Sequence, residues 1–292
     1  MERVGRRLRS DVDMISSLPD CLIHVIMSFL TAQEAVRTCI LSKRWEKLWT
    51  TLPFLDFDMS KFECDDKPDG RGCIDGKFER FLDFVSMTLL HRDTTDMHKF
   101  HVSFSGKMHR SSKRVMFIRS WIVYALKHNV QVFKFDSDVQ DLLVNSSLPL
   151  DVFTCASLVD VSISRTFPRV GNIKDLLVYE LLNCLEFSNL KDLSVECLCL
   201  SCHFILIVSF LNDCPNLEKL SLHRIGFHCE HGEEVHVNQE SLKIAPFKGG
   251  RLKTVDVQFY RHDYSVPRVW KYLQDHITEN SRAQIIMTSL DN

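Results

Sequence analysis

One spacing recurs along the chain and limits what it can fold into: an apolar residue, two of any kind, an apolar residue, one of any kind, and a third apolar residue. Met97-Phe100-Val102, Val130-Phe133-Phe135, Leu158-Val161-Ile163, Leu190-Leu193-Val195, Leu217-Leu220-Leu222 and Leu252-Val255-Val257 all carry it. The last two apolar positions alternate as in a strand with one buried face. Successive first positions lie 33, 28, 32, 27 and 35 residues apart, which leaves room for one strand and one helix per unit. Chance alternation would not keep that interval, so the spacing predicts an α/β solenoid of stacked strand–helix units. Ser120-Trp-Ile-Val-Tyr-Ala-Leu126 and His203-Phe-Ile-Leu-Ile-Val-Ser-Phe-Leu211 supply helix-length apolar segments between strands. The units are degenerate: eight residues after Leu190 and Leu217 stand Leu198 and Ile225, where a regular unit has Asn or Cys to bond the turn, so irregular curvature is expected.

Strand alternation also names the residues of the opposite sheet face. They are Lys134 and Asp136; Asp160, Ser162 and Ser164; Asp192, Ser194 and Glu196; Lys219, Ser221 and His223; then Thr254, Asp256 and Gln258. Together they would line the concave side with mixed polar groups. Such a face suits protein recognition, because complementary charges orient a partner while few groups need full desolvation. For each residue taken singly, an ordinary solvated sheet face explains the pattern better, and only the residues taken together point to recognition.

Ahead of this region, from Asp13 to Asp58, helix-start signals come in quick succession: Pro19, a Thr31-x-x-Glu34 capping box, and Ser42 before Trp45. Three short helices are predicted. The first carries Leu22, Ile23, Val25, Ile26, Met27, Phe29 and Leu30, apolar around most of its circumference. A unit of about 45 residues cannot hide apolar faces on every side. Periodicity alone allows either the downstream chain or a second polypeptide to cover the excess. Burying four or five such side chains under a partner is worth on the order of 10 kcal/mol before the cost of association.

Residue identities favour the second covering. Asp13-Met-Ile-Ser-Ser-Leu-Pro-Asp20, Leu22-Ile-His-Val-Ile-Met-Ser-Phe-Leu30, Ala35-Val-Arg-Thr-Cys-Ile-Leu-Ser-Lys-Arg-Trp45, Leu48-Trp49 and Leu52-Pro-Phe-Leu-Asp-Phe-Asp58 resemble the plant F-box and its continuation. Further along, Trp121 through Phe135, Phe153-Thr-Cys-Ala-Ser-Leu158 and Cys214-Pro-Asn-Leu-Glu-Lys-Leu220 resemble landmarks of plant F-box leucine-rich-repeat proteins. Leu252-Lys-Thr-Val-Asp-Val257 with Val269-Trp-Lys-Tyr-Leu273 is partly similar to the FBD-like carboxy-terminal region that often follows those repeats, whereas Lys174 to Cys199 fits the pattern least well. The resemblance implies a module docked on the small adaptor of Skp–cullin–F-box ubiquitin ligases, and through it on cullin and RING subunits. Carried over by position, it implies adaptor contacts at Leu18, Pro19, Leu22, Ile23, Ile26, Val36, Leu41 and Trp45, with Trp49 at the hinge. Two departures stand out: Cys21 replaces an acidic residue found in many relatives, and Thr31-Ala-Gln33 replaces Pro-Thr-Lys. The Thr31–Glu34 cap supplies a local substitute for the lost proline.

Between these regions, the Asp-, Lys- and Gly-rich stretch from Asp58 to Gly76 has no apolar period and reads as a surface connection. Phe78, Phe81, Leu82, Val85 and Leu89 then follow helical spacing. Gly70, Gly76 and Lys77 do not make a phosphate loop, since the glycines are six apart and Phe78 stands where a hydroxyl must reach the metal. Cys197, Cys199, Cys202 and His203, with His228, Cys229 and His231, are zinc-ligand types, but paired Cys-x2-Cys spacing does not recur. Buried thiols explain them better, and neither metal nor cofactor is expected. Gly-x-Ser-x-Gly, His-Glu-x-x-His and a glycine-rich dinucleotide turn are all missing. A net charge of -2 argues against polyanions such as nucleic acid, and the longest apolar run is too short to span a bilayer. The Arg-rich first nine residues lack the apolar middle of a secretory signal, and the 11 cysteines have no disulfide-framework spacing, so a reducing nucleus or cytoplasm is expected.

The resulting expectation is a small three-helix F-box at 13–58, a connection at 59–77, degenerate leucine-rich repeats at 78–250, and a last repeat with the FBD-like region at 251–292. The resemblance implies a non-catalytic receptor that holds a protein substrate for ubiquitylation. A non-degradative interaction protein or scaffold competing for the same adaptor stays open on the sequence.

Overall fold

The computed structural model describes residues 15, 17–63, 71–93, 96–105, 112–137, 155–164, 187–196, 214–225, 250–260, 270–271, 273–278 and 283–290. Three short helices come first: α1 (Asp20–Met27), α2 (Ala32–Arg37) and α3 (Trp45–Leu48), with 3-10 turns at Thr38–Ile40 and Trp49–Thr51. Pro19 caps α1, where its missing N–H costs nothing. Thr31 forms the full capping box of α2: its N–H donates to the Glu34 carboxylate at 2.9 Å, and its hydroxyl accepts from the Glu34 N–H. Ile23, Met27, Ala35, Trp45, Leu48 and Leu52 close a small core of their own, with Leu18, Leu30 and Trp49 packed against it.

Eight strands then build one all-parallel sheet in sequence order: β1 (Phe54–Asp58), β2 (Lys99–Phe104), β3 (Val132–Ser137), β4 (Asp160–Ser164), β5 (Asp192–Glu196), β6 (Lys219–Ile225), β7 (Thr254–Tyr260) and β8 (Gln284–Leu290). That order is a solenoid's, each unit adding its strand to the edge left by the last. The six repeated triplets fall in six of the strands, and the register aligns their last two positions. Phe100, Phe133, Val161, Leu193, Leu220 and Val255 form one row, and Val102, Phe135, Ile163, Val195, Leu222 and Val257 another. Pairing shifts by a bulge between Leu222 and Ile225. Two further strands lie at the edges. β1 carries the same triplet as Leu52-Leu55-Phe57, within the stretch that the sequence reading assigned to the helical module. β8 has Ile285 and Met287 in the two rows but Arg282 in place of the first apolar residue.

Helices α4 (Arg71–Leu90) and α5 (Ser112–Lys127) bury Phe78, Phe81, Leu82, Val85 and Leu89, and Ile118, Trp121, Ile122, Ala125 and Leu126, in the core behind the sheet. α4 begins seven residues before Phe78, inside the expected connection. Its first turns hold two glycines and no apolar stripe, and tertiary contacts fix them instead. Arg114 of α5 pairs with Asp75 and Glu79, both at 2.7 Å, and Ile74 packs on the core. A Cβ at Gly76 would meet open space, so that glycine lies on the solvent side. α5 ends where Asn129 takes the left-handed conformation (φ 57°) that suits a helix C-cap. Among the described residues, no helix is long and apolar enough to cross a membrane.

The helical module is joined to the solenoid without an intervening connection. β1 follows the Trp49–Thr51 turn almost at once, and Ala32 of α2 belongs to the solenoid core. The Pro53 carbonyl accepts from the N–H groups of His98 (2.7 Å) and Lys99 (3.0 Å), Thr50 donates to the Asp93 carboxylate at 2.8 Å, and buried Arg92 donates to the Leu52 carbonyl. Because β1 is already a strand of the sheet, the segment after Asp58 follows the junction in sequence and does not set the freedom between the modules.

Candidate functional site

Two surfaces hold the residues singled out from the sequence. The first is the outside of the helical module. Of the twelve large apolar side chains exposed among the described residues, seven lie between residues 15 and 41: Ile15, Leu22, Val25, Ile26, Phe29, Ile40 and Leu41. Phe29 and Ile40 are 85% exposed, although each would gain about 1.5–3 kcal/mol if fully buried. Such a concentration of exposed apolar side chains on so small a unit marks a contact surface.

The eight residues named for adaptor contact divide here. Pro19, Leu22, Ile26 and Leu41 are exposed, and Leu18 and Val36 are half-buried. Ile23 (0% exposed) and Trp45 (4%) are corrected: both fill the module's own core and support the surface from beneath. An α1 apolar all round cannot show which face α2 and α3 will cover, so position along the helix could not separate Ile23 from Leu22. Phe29, Val25 and Ile40 were visible as apolar residues without a helical partner, yet were not named as contacts. Arg44 braces this end of the module, donating to the Asp20 carboxylate and to the Leu18 carbonyl.

The second surface is the sheet face opposite the core. Spaced about 4.8 Å apart, eight strands make it about 34 Å wide. Register sets its residues in three lateral rows. One runs Phe54, Lys99, Val132, Asp160, Asp192, Lys219, Thr254 and Gln284; the next Asp56, His101, Lys134, Ser162, Ser194, Ser221, Asp256 and Ile286; the third begins Asp58, Ser103, Asp136, Ser164, Glu196 and His223. The nominated Lys134, Asp136, Asp160, Ser162, Asp192, Ser194, Glu196, Lys219, Ser221, His223, Thr254 and Asp256 therefore share one face. Seven carboxylates on it (Asp56, Asp58, Asp136, Asp160, Asp192, Glu196, Asp256) face three lysines (Lys99, Lys134, Lys219). Counted with His neutral, that is -4, against -2 for the whole chain.

At the amino-terminal end of this face, His101 bridges two carboxylates. Its Nδ1 lies 2.9 Å from Asp56 and its Nε2 2.9 Å from Asp136, and the Ser164 hydroxyl donates to the other Asp136 oxygen at 2.6 Å. Burial alone would lower the imidazole's affinity for a proton, but the hydrogen bonds and charges of Asp136 and Asp56 outweigh it and raise the pKa to about 9. His101 is thus an imidazolium donating from both nitrogens. The same contact holds Asp136 below the usual carboxylate range against burial, and holds Asp56 down although burial pushes it up. Further along, burial raises Asp160, Lys134 opposes, and the charge of Asp192 on the next strand adds to the rise.

The turns leading into the strands are braced by residues that sequence reasoning passed over. Asn189 donates to the Ala156 carbonyl at 2.6 Å and Asn216 to the Ser188 carbonyl, each from the position just before Leu190 or Leu217. The zinc-type residues Cys197, Cys199, Cys202, His203, His228, Cys229 and His231, the 203–211 segment and the Arg-rich start lie outside the described residues. Among those described, no group of three or more His, Cys, Asp or Glu could hold a metal ion.

Comparison with known proteins finds matches for both the helical module and the repeats. Residues 15–57 match the F-box domain family, and residues 118–276 match the family described as "FBD-associated F-box protein At5g56370, LRR repeats". Three relatives from Arabidopsis thaliana illustrate the likeness. F-box/FBD/LRR-repeat protein At5g22660 is 30% identical over 77% of this chain and 43% of its own length. F-box/LRR-repeat protein 13 is 28% identical over 80% and 45%, and F-box/LRR-repeat protein At3g58900 is 32% identical over 72% and 58%. The chain thus spans about half the length of the relatives it matches. An F-box domain implies binding to a Skp-type adaptor, and F-box/LRR proteins are generally non-catalytic adaptors. With an F-box at its start, the repeat family covering more than half its residues and a parallel sheet of stacked units to match, the chain belongs to the plant F-box/leucine-rich-repeat family.

Proposed function

We propose that this chain is the substrate-recognition subunit of a Skp–cullin–F-box ubiquitin ligase, working in the nucleus and/or cytoplasm. The F-box docks on the Skp-type adaptor, which joins it to cullin and RING subunits, and the polar sheet face holds the protein to be ubiquitylated. One observation carries the reading: Leu22, Val25, Ile26, Phe29, Ile40 and Leu41 stay exposed although the module has a closed core of its own and is packed against the solenoid. Covering them is left to a second polypeptide.

In this role the chain contributes no acid, base or nucleophile. It raises the effective concentration of substrate lysines near a ubiquitin-charged enzyme held elsewhere in the assembly. The test is affinity purification from plant cells with the proteasome blocked, comparing wild type with the Leu22→Asp, Ile26→Asp double variant. Both changes lie on the exposed side of α1, so the variant is expected to fold, lose the adaptor and cullin, and keep its other bound proteins. Adaptor retained at the wild-type level would refute the docking surface. A reconstituted ligase that captures a co-purified protein without ubiquitylating it would refute the receptor role.

A further inference from the structure

The two ends of the sheet are built differently. β1, at one end, is five residues long, carries Asp56 and Asp58, and has α2 packed against it. β8, at the other, runs seven residues (Gln284-Ile-Ile-Met-Thr-Ser-Leu290) with neither charge nor proline, and no strand lies beyond it among the described residues. The Gln284 N–H donates to the Lys253 carbonyl at 2.8 Å, which turns the backbone groups of Gln284, Ile286, Thr288 and Leu290 toward β7. The N–H and C=O groups of Ile285, Met287 and Ser289 therefore point outward along the open edge. Ile285 and Met287 also continue the two core rows. Their neighbours on β7, Val255 and Val257, are buried, whereas on β8, at the end of the stack, both are half-buried. Edge strands are ordinarily protected by charge, proline, a bulge or shortness, and β8 has none of these.

We infer that β8 pairs, antiparallel, with β8 of a second copy of this chain, about a two-fold axis normal to the sheet at Met287. In that register Met287 faces its own counterpart, Ile285 faces Ser289, Ile286 faces Thr288 and Gln284 faces Leu290. Every outward backbone group then falls opposite another, and the pairs at 287 and at 285 with 289 exchange two hydrogen bonds each, about six in all. The apolar rows of the two copies join on one side, with Ile285 diagonal to the opposite Met287, and the polar faces join on the other. No pair sets like charges together. Two observations choose this occupant. A lone extended segment would take the hydrogen bonds but bring no apolar layer to continue the rows at Ile285 and Met287. A head-to-tail contact of β8 on β1 meets α2 and two aspartates, so copies do not string into a filament and the contact closes as a pair. The strand contact is small beside the roughly 1,200 Å² of stable interfaces, so the pair forms reversibly. It carries its two F-boxes at opposite ends of one continuous sheet.

Sedimentation velocity of the full chain bound to a Skp-type adaptor, which covers the apolar F-box surface, measures the pairing from about 1 to about 100 μM. One chain–adaptor unit at the low end should become two at the high end. Met287→Pro removes an outward N–H and no bond to β7, and should hold the chain single. Ile286→Lys with Thr288→Lys, both at exposed positions, sets lysine opposite lysine twice and should weaken pairing about tenfold or more. Ile286→Lys with Thr288→Glu sets lysine opposite glutamate in the same places and should pair within about threefold of wild type. Thermal melting of each variant controls for folding. In hydrogen exchange, the amides of Ile285, Met287 and Ser289 should slow as concentration rises, while those of Ile286, Thr288 and Leu290 stay slow throughout. A wild type that remains single across the range, or outward amides already slow at the lowest concentration, would overturn the pairing and give the edge to another occupant. Pairing that survives Met287→Pro, or a lysine–glutamate variant that separates as readily as the double-lysine one, would overturn the β8 contact.

Discussion

Replacing His101 by Gln removes the charge from the Asp56–His101–Asp136 bridge while keeping a side chain of similar reach. A pKa raised from 6.5 to about 9 corresponds to a ceiling of about 3 kcal/mol at 1.36 kcal/mol per pH unit. The imidazole is 19% exposed, but the carboxylates are 36% and 41% exposed, so water screens the pair and about 1–2 kcal/mol is the better figure. For a chain of this size that is a fall in Tm of about 2–8 °C. The pH dependence separates charge from packing. A histidine whose folded pKa is raised contributes fully below its unfolded value of 6.5; the contribution shrinks across 6.5 to about 9 and is gone above that. Asp56 and Asp136, both held below 3.8, contribute above that value and lose it as acid protonates them. The gap in Tm between wild type and His101→Gln should therefore be widest near pH 5–6.5, smaller at pH 8 and closed near pH 10. Calorimetry in low-salt buffers across that range measures it. A gap that stays constant from pH 5.5 to 10 would refute the charged bridge and leave only packing.

Four further outcomes follow from the packing and hydrogen bonds. Ile23→Ala and Trp45→Ala, which open the F-box core, should each destabilise the module by about 2–5 kcal/mol, read by hydrogen exchange in α1 and α3. Thr31→Ala breaks the capping box and should cost about 1 kcal/mol, seen as faster exchange in α2. Arg92→Met leaves the buried Leu52 carbonyl without its guanidinium donor and should cost about 1–3 kcal/mol, with faster proteolysis at the Leu52–Pro53 junction. Asn216→Ala removes the bond to the Ser188 carbonyl and should cost about 0.5–1.5 kcal/mol, detected as a lower urea midpoint.

Six strands were legible because each writes the same pair of core residues at a two-residue period, and the solenoid repeats that pair at a nearly constant interval. The two edge strands were hidden for different reasons. Leu52-Leu55-Phe57 sits directly behind the helical module and carries the ending familiar from it, while the triplet of β8 has Arg282 at its first position, where the other units have an apolar residue. The start of α4 was illegible because Arg114, distant in sequence, holds Asp75 and Glu79 in place and local composition does not. The contact surface of the F-box was legible as a quantity of apolar residues but not as a direction. Only the packing of α2 and α3 decides that Ile23 turns inward while Leu22 and Ile26 stay out. The His101 bridge joins residues on three strands and emerges only once Asp56 is known to lie in the sheet.

That placement of Asp56 bears on how the proposed receptor would work. A flexible connection between F-box and repeats would spread a bound substrate over many positions and lower its effective concentration at the site of transfer. Here the strand that leaves the F-box is itself the first strand of the sheet. The Pro53 carbonyl takes two N–H bonds from the start of β2, Arg92 and Asp93 hold the backbone and side chain just before it, and Ala32 reaches into the solenoid core. The His101 bridge then ties that strand to β2 and β3, and Ser164 extends the tie to β4. The relation between the exposed apolar surface of the F-box and the polar face of the sheet is therefore set by hydrogen bonds and packing, and loosening any of these ties should reduce transfer to a bound substrate more than its binding.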